Sequence, residues 1–334
     1  SCVDSHFLLN CSGLINCFGC VNLRNKSNCF LNEQLSKDEY NKRVSEIMGS
    51  SERMAQFRKE FDEFALKFPR RENNNLQSVD STGDYLSECK NVKDSFEILK
   101  SEDCRYTFSS KLIKDSIGTI GYGTNCERLL ECVAVGYSTN IVGTYGAENC
   151  QNILYGFYTS NCNDCVGCDA LKNGSFAVFN KEYSKEEYEE IKSHIVSELK
   201  DQDLYGLIMP PALAPFAYNE TVAQDNFPLT KEEAIGQGFR WEDDIQQTRG
   251  KETIHSDDIP DHINDVLDSI THEVLRCDSC ERNYRITDAE FLFYRKMKLP
   301  IPRICFYCRH QDRILRRGPY KFWDRKCDNC SKDI

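Results

Sequence analysis

The chain carries no long apolar run in two of its regions, from about 1 to 32 and from 84 to 180. Short apolar stretches there alternate with Gly, Asn and Cys, and the phrase x-Asn/Asp-Cys returns at Cys11, Cys17, Cys104, Cys126, Cys150, Cys162 and Cys165. Cys104, Cys126, Cys150 and Cys162 are separated by 22, 24 and 12 residues. Such intervals approach one coil, or half a coil, of a β-solenoid, where each turn supplies short strands and hides its apolar face only once the next turn stacks on it. Cys and Asn at equivalent turns are expected to form internal ladders, Asn satisfying turn backbone and Cys filling the core as a small hydrophobe. Gly118-Thr-Ile-Gly121-Tyr-Gly123 fits the same pattern and precedes no helical period, so it reads as solenoid turns and not as a phosphate loop.

Between these regions the period changes to three and four. Met54, Phe57, Phe61, Phe64 and Phe68 mark an amphipathic helix that Pro69 ends, with an Asn- and Ser-rich linker from Arg70 to Asp84. Ser36-Lys-Asp-Glu39, Ser184-Lys-Glu-Glu187 and Thr230-Lys-Glu-Glu233 each have the spacing of a helix-opening capping box. Ile263, Val266, Leu267, Ile270 and Val274 predict a further helix, and Thr287 with Glu290 opens another through Phe291, Phe293 and Tyr294.

The two β regions are related. Cys17 to Tyr40 and Cys165 to Tyr188 agree at 11 of 24 positions, among them Cys17/Cys165, Gly19/Gly167, Cys20/Cys168, Asn32/Asn180, Ser36/Ser184 and Tyr40/Tyr188. The fold expected is therefore mostly β: a two-copy β-solenoid, β-helix-like, with capping helices, followed by a small α+β zinc-ribbon domain. Its parts are 1–48, first copy with capping helix; 49–83, helix and linker; 84–200, second copy with capping helix; 201–262, a Pro-bearing connection; and 263–334, ribbons of which the second is incomplete.

Composition narrows the function. A net charge of −11 over 334 residues argues against a surface that meets nucleic acid or an anionic membrane throughout, and no stretch is apolar enough to span a bilayer. Nineteen cysteines, thirteen of them between Cys2 and Cys168 and six in three C-x-x-C pairs, favour thiols and metal in a reducing cytoplasm over disulfides. Cys277-Asp-Ser-Cys280 and, 24 residues on, Cys305-Phe-Tyr-Cys308 can supply four thiolates to one Zn²⁺, a closed structural site. Free thiols, iron and a redox disulfide are the alternatives. Cys327-Asp-Asn-Cys330 adds a third pair with no fourth, so the chain is truncated, or these thiols borrow ligands, or they are free. His310, beside Cys308, is a surface residue or an alternate ligand rather than a base.

One segment departs from the acidic average. Between Arg295 and Lys326 stand eleven Lys and Arg against two Asp, and Arg309, Arg313, Arg316, Arg317, Lys321 and Arg325 are interleaved with aromatic residues including Trp323. Cations for phosphates and rings for bases are the combination that grips single strands and RNA. The competing reading is internal: Glu242 to Glu273 holds ten acidic residues against two basic ones and could neutralise its neighbour.

Cys17-Phe-Gly-Cys20-Val-Asn-Leu-Arg-Asn-Lys, Ser184-Lys-Glu-Glu-Tyr188, Tyr218-Asn-Glu-Thr-Val-Ala-Gln224, Phe227-Pro-Leu-Thr-Lys-Glu-Glu233, Leu299-Pro-Ile-Pro-Arg303 and Trp323-Asp-Arg-Lys-Cys327 together resemble a family of Cys/Asn-rich proteins with zinc-ribbon ends. The family is found in candidate-phylum bacteria and some giant viruses. The resemblance covers nearly the whole chain; it implies the same architecture and, since members finish the last ribbon beyond the final C-x-x-C, a fragment here. Some members bear a CoA-transferase-type name that no residue pattern in this chain supports. The function expected is a non-enzymatic zinc-binding scaffold with a protein partner on the solenoid face and nucleic acid at the basic segment. An enzyme acting on nucleic acid or saccharide along that face, and a structural assembly component, are the alternatives.

Overall fold

A computed structural model describes residues 1–121, 123–245, 247–318, 320–327 and 329–333. The chain is mostly β with a large parallel sheet, and seven α-helices occur among the described residues: α1 (Lys37–Ile47), α2 (Ser51–Ala65), α3 (Lys185–Asp201), α4 (Ala223–Asn226), α5 (Lys231–Gly236), α6 (Asp288–Met297) and α7 (Phe306–Arg317). It divides into two compact units, one of residues 1–70, 219–228 and 242–334, the other of 71–218 and 229–241.

In the second unit strands pair in parallel with the strand one or two places on, at an offset of 12 residues. Leu86 faces Ile98 and Ile98 faces Ser110, Val92 faces Cys104, and Ile141, Ile153, Cys165 and Ala177 follow one another down a single column. The offset grows to 13 once, between Ile113–Ile120 and Cys126–Gly136, where Gly121 at φ +71° takes up the extra residue.

A period of three underlies the period of twelve. Leu86, Cys89, Val92, Ser95, Ile98, Ser101, Cys104, Thr107, Ser110 and Ile113 are all buried, and the residue before each, from Tyr85 and Glu88 through to Leu112, has φ between 48° and 58°. Each left-handed residue turns the chain so that the next side chain points inward. That conformation costs an L-residue about 1–2 kcal/mol, least for Asn and Asp and most for β-branched side chains. None of the described non-glycine residues with positive φ is Val, Ile or Thr. The phrase Asn/Asp-Cys is thus one corner: Asn or Asp holds the turn and Cys goes inside.

Small inward side chains also knit the layers. Ser95 Oγ donates to Lys93 O at 2.7 Å and accepts from Thr107 N, twelve residues on, at 3.1 Å; Ser101 and Ser138 do the same. Cysteine thiols take the same place, Cys132 Sγ lying 3.2 Å from Leu130 O and 3.4 Å from Ile141 O. Eleven of the first thirteen cysteines are buried, Cys2 and Cys11 partly so. The expected Asn ladders form on the outside instead, because the left-handed position faces solvent. Asn140 donates to Asn152 and Asn152 to Asp164, and Asn149, Asn161 and Asn173 make a second row, at 2.8–3.1 Å.

The 11 shared positions occupy equivalent places. Cys17, Cys20, Cys165 and Cys168 are buried core, and Gly19 and Gly167 have φ of +68° and +63° with a phenylalanine ring over each. Asn32 brackets the backbone of Val21, and Asn180 that of Asp169, each through both side-chain atoms. An antiparallel two-residue return follows in both, Glu33–Gln34 on Ser27–Phe30 and Lys181–Glu182 on Ser175–Val178. Ser36 and Ser184 then cap α1 and α3. Tyr188 packs over Leu154, Val166 and Val178 in the second unit. In the first, Tyr40 joins Phe18 and Phe57, whose ring from α2 lies 4.7 Å from Phe18 and 5.2 Å from Phe7.

The helix expected over Ile263–Val274 is absent. Two 3-10 turns, Ile263–Asp265 and Asp268–His272, take its place. Ile263, Val266 and Ile270 are still buried, against Phe291 and Tyr294 of α6, so the apolar spacing reports burial correctly while the backbone turns more tightly. No helix among the described residues is long and apolar enough to cross a membrane.

Candidate metal centre

The first C-x-x-C pair sits at the end of a short hairpin in which Leu275–Arg276 pairs with Asn283–Tyr284. Cys277 N donates to Arg282 O and Glu281 N donates back to Cys277 O, both at 3.0 Å, and Glu281 turns the chain at φ +63°. The second pair opens α7: Cys305 is the residue before the helix, its carbonyl accepts from Arg309 N at 3.0 Å, and Cys308 lies in the first turn. Three contacts register the two pairs. Cys305 N donates to Cys277 Sγ at 3.2 Å, Asp278 N to Arg303 O at 3.1 Å, and the Tyr284 hydroxyl to Pro302 O at 2.6 Å. The Arg303 guanidinium ties the approach further, donating to the carbonyls of Ser256 and Ile259.

The four sulfur atoms come together. Cys277 and Cys308 are 3.8 Å apart, Cys280 and Cys305 3.6 Å, and all four lie within 4.8 Å of one another. The edge of a tetrahedron with Zn–S bonds of about 2.3 Å is about 3.8 Å. Cys277 and Cys305 are buried and Cys280 and Cys308 half-buried. Burial pushes the Cys277 thiol up, but the amides of Cys305, Cys280 and Ser279 more than offset it and hold it at about 7. Cys308 is pushed up to about 12, first by burial and then by the neighbouring thiols, against a hydrogen bond with Ser279. Four thiolates this close repel one another, so full ionisation requires a cation among them; the start of α7 adds a favourable field. The group can hold a metal ion.

No protein-family model and no curated protein matches this chain. The chemistry of the site therefore rests on its own geometry.

His310 stands outside the four-thiol group, its Nε2 3.4 Å from Asp225 Oδ2. Cys327 and Cys330 are not drawn into it either; Cys327 is half-buried and Cys330 exposed. Their backbone nevertheless repeats the first knuckle. Cys327 N donates to Lys332 O and Ser331 N to Cys327 O, both at 2.8 Å, with Ser331 at φ +56°. Amides of Cys330 and Asn329 hold the Cys327 thiol below its ordinary value.

The basic segment divides by face. Arg309 pairs with Glu290 at 3.3 Å and donates to the Tyr294 hydroxyl, and Arg316 pairs with Asp62 at 3.2 Å and with Asp312. These partners lie in α6, α2 and α7 itself, where charge counting along the sequence pointed to Glu242–Glu273. From that stretch Asp268 takes Arg295 at 2.6 Å. Arg313 lies 6.0 Å over Phe306, Arg317 4.0 Å over Tyr320 and Arg325 5.9 Å over Trp323, while Lys321 is exposed. Tyr284, which with Arg303 positions the thiols, carries no signal in the sequence beyond its nearness to the pairs.

Proposed function

We propose that the protein is a non-enzymatic, zinc-containing interaction scaffold of the reducing cytoplasm. On this reading the parallel strands form a four-cornered β-solenoid of 12-residue coils, duplicated in the chain and sealed by α1 with α2 and by α3. Cys277, Cys280, Cys305 and Cys308 form a zinc ribbon, and Cys327 with Cys330 offers two further thiolates to a second ion. The chain would then share its origin with the Cys/Asn-rich zinc-ribbon proteins it resembles.

The observation that carries the proposal is the cluster of four thiols, all within 4.8 Å of one another. Four protein ligands fill the coordination shell of Zn²⁺ and leave no position for substrate or water, which is the arrangement of a structural metal. Support for the scaffold role comes from the outer faces of the sheet, which hold stacked polar columns such as Lys90–Glu102 at 2.7 Å and exposed tyrosines in several columns, Tyr85, Tyr106, Tyr137 and Tyr158. Long stacked surfaces of this kind suit protein partners. The test is chelation of the purified chain followed by limited proteolysis. Because binding energy at such a site is folding energy, cleavage should begin between 250 and 318 while 84–180 stays protected. Identical digests with and without metal would reject the zinc assignment.

A further inference from the structure

We infer that the face of α7 beside the thiol cluster binds single-stranded nucleic acid, with Phe306 and Tyr307 as base-stacking surfaces and Arg282, Arg313 and Arg317 as phosphate contacts. The inference deepens the scaffold reading above and rests on it, since the metal centre is what holds α7 against the first knuckle.

The two faces of α7 differ in what satisfies their charge. Residues 309, 312 and 316 share one side, and there both arginines are neutralised by carboxylates of Glu290, Asp62 and Asp312. Residues 306, 310, 313 and 317 share the other, at the three- and four-residue steps that align a helix face. Among the described residues neither Arg313 nor Arg317 on that side forms an ion pair with a carboxylate. Arg317 instead donates to the Asn226 side chain at 2.7 Å and to the Tyr320 hydroxyl. Arg282, from the first knuckle, lies 5.1 Å over the Tyr307 ring, and among the described residues its side chain donates to Gln247 at 2.7 Å and pairs with no carboxylate. His310, between Phe306 and Arg313, has the Asp225 carboxylate beside it.

The rings are just as unsatisfied. Phe306 is 60% and Tyr307 63% exposed, at the two positions following Cys305, although each would gain about 2 kcal/mol from burial. They lie 5.8 Å apart at a 76° angle, so they offer two differently oriented faces. Three guanidinium–ring pairs, Arg282 with Tyr307, Arg313 with Phe306 and Arg317 with Tyr320, lie along about 16 Å of helix. Cations of this kind attract phosphates, and exposed rings require unpaired bases, which a duplex keeps stacked inside. The complement of this strip is a single strand. An acidic peptide would use the cations but leave the rings in water.

The experiment is fluorescence anisotropy of the whole chain with a labelled oligo-dT, its duplex counterpart and a poly-Glu peptide, with bound zinc measured on the same samples. Wild type should bind the single strand more tightly than the duplex or the peptide, and more weakly as salt rises. Phe306→Ala with Tyr307→Ala should weaken binding at least tenfold at unchanged zinc content. Arg313→Ala, on the helix surface, should lower the slope of log K against log salt by about one. Arg316→Ala should leave binding as it was. Absence of single-strand binding at low salt, equal affinity for duplex, preference for the peptide, or indifference to the ring and Arg313 substitutions would each overturn the inference. Zinc loss with binding intact would instead count against the metal assignment alone.

Discussion

Ala134 is the position where the left-handed corner can be tested most cleanly. It sits in strand Cys126–Gly136 at φ +55°, its methyl faces solvent, and it precedes the buried Val135. In an ordinary strand, Ala→Gly costs about 0.5–1 kcal/mol through the entropy of the unfolded chain. Here the alanine carries a left-handed penalty of about 1–2 kcal/mol that glycine does not. The two effects oppose each other, and the larger wins: Ala134→Gly should stabilise the unit by about 0.5–1 kcal/mol. Ala134→Val should destabilise it by at least about 1 kcal/mol, because a β-branched side chain fits that conformation worst. Native-state hydrogen exchange of the Cys126–Gly136 amides reads the difference locally. If the glycine variant loses stability and the valine variant gains it, the chain does not turn at 134 and the three-residue period is wrong.

Ser95→Ala should cost about 1–3 kcal/mol in urea unfolding, since it leaves the buried amide of Thr107 without its acceptor, and Ser95→Cys should recover part of the loss. Tyr188→Phe should leave the thermal midpoint unchanged or raise it, because the buried hydroxyl has no hydrogen-bond partner among the described residues; a clear fall would mean that one exists. The Ser50 hydroxyl, helped by the Glu52 amide and by Arg303 against some burial, holds the Asp261 carboxyl below the usual carboxylate range. A depressed native value stabilises the fold above the ordinary Asp value of about 4, and that contribution is lost as pH falls through the lower native one. The start of α2 should therefore fray in acid, and Asp261→Asn should remove this pH dependence from its amide exchange.

Much of this was legible in the residues, for reasons that are local. Capping serines at 36 and 184 act within four residues, and C-x-x-C knuckles are closed by their own backbone, so both can be read without tertiary information. The similar segments were equally plain, and the shared Cys, Gly and Asn prove to hold core, turn and bracket positions. The three-residue period stayed hidden because the inward positions mix Leu86, Ser95, Cys104 and Thr107, which share burial but neither size nor hydropathy. The cysteine interval of 24 is two steps of twelve, whereas that of 22 joins neighbouring columns: two steps from Cys104, the second lengthened to 13, lead to Leu129, and Cys126 lies three residues before it. Val266 and Ile270 misled in the opposite way: burial by 3-10 turns leaves the same apolar spacing as a helix. The division of the arginines of α7 could not be read at all, since Asp62 is 254 residues from Arg316 in sequence and adjacent in space.

The most direct measurement is zinc K-edge absorption of the purified chain carrying Cys327→Ser and Cys330→Ser, with the metal-to-protein ratio determined alongside. One zinc per chain with four sulfur neighbours at about 2.3 Å is the predicted result. A shell containing nitrogen or oxygen, or a chain that folds with no metal bound, would contradict it.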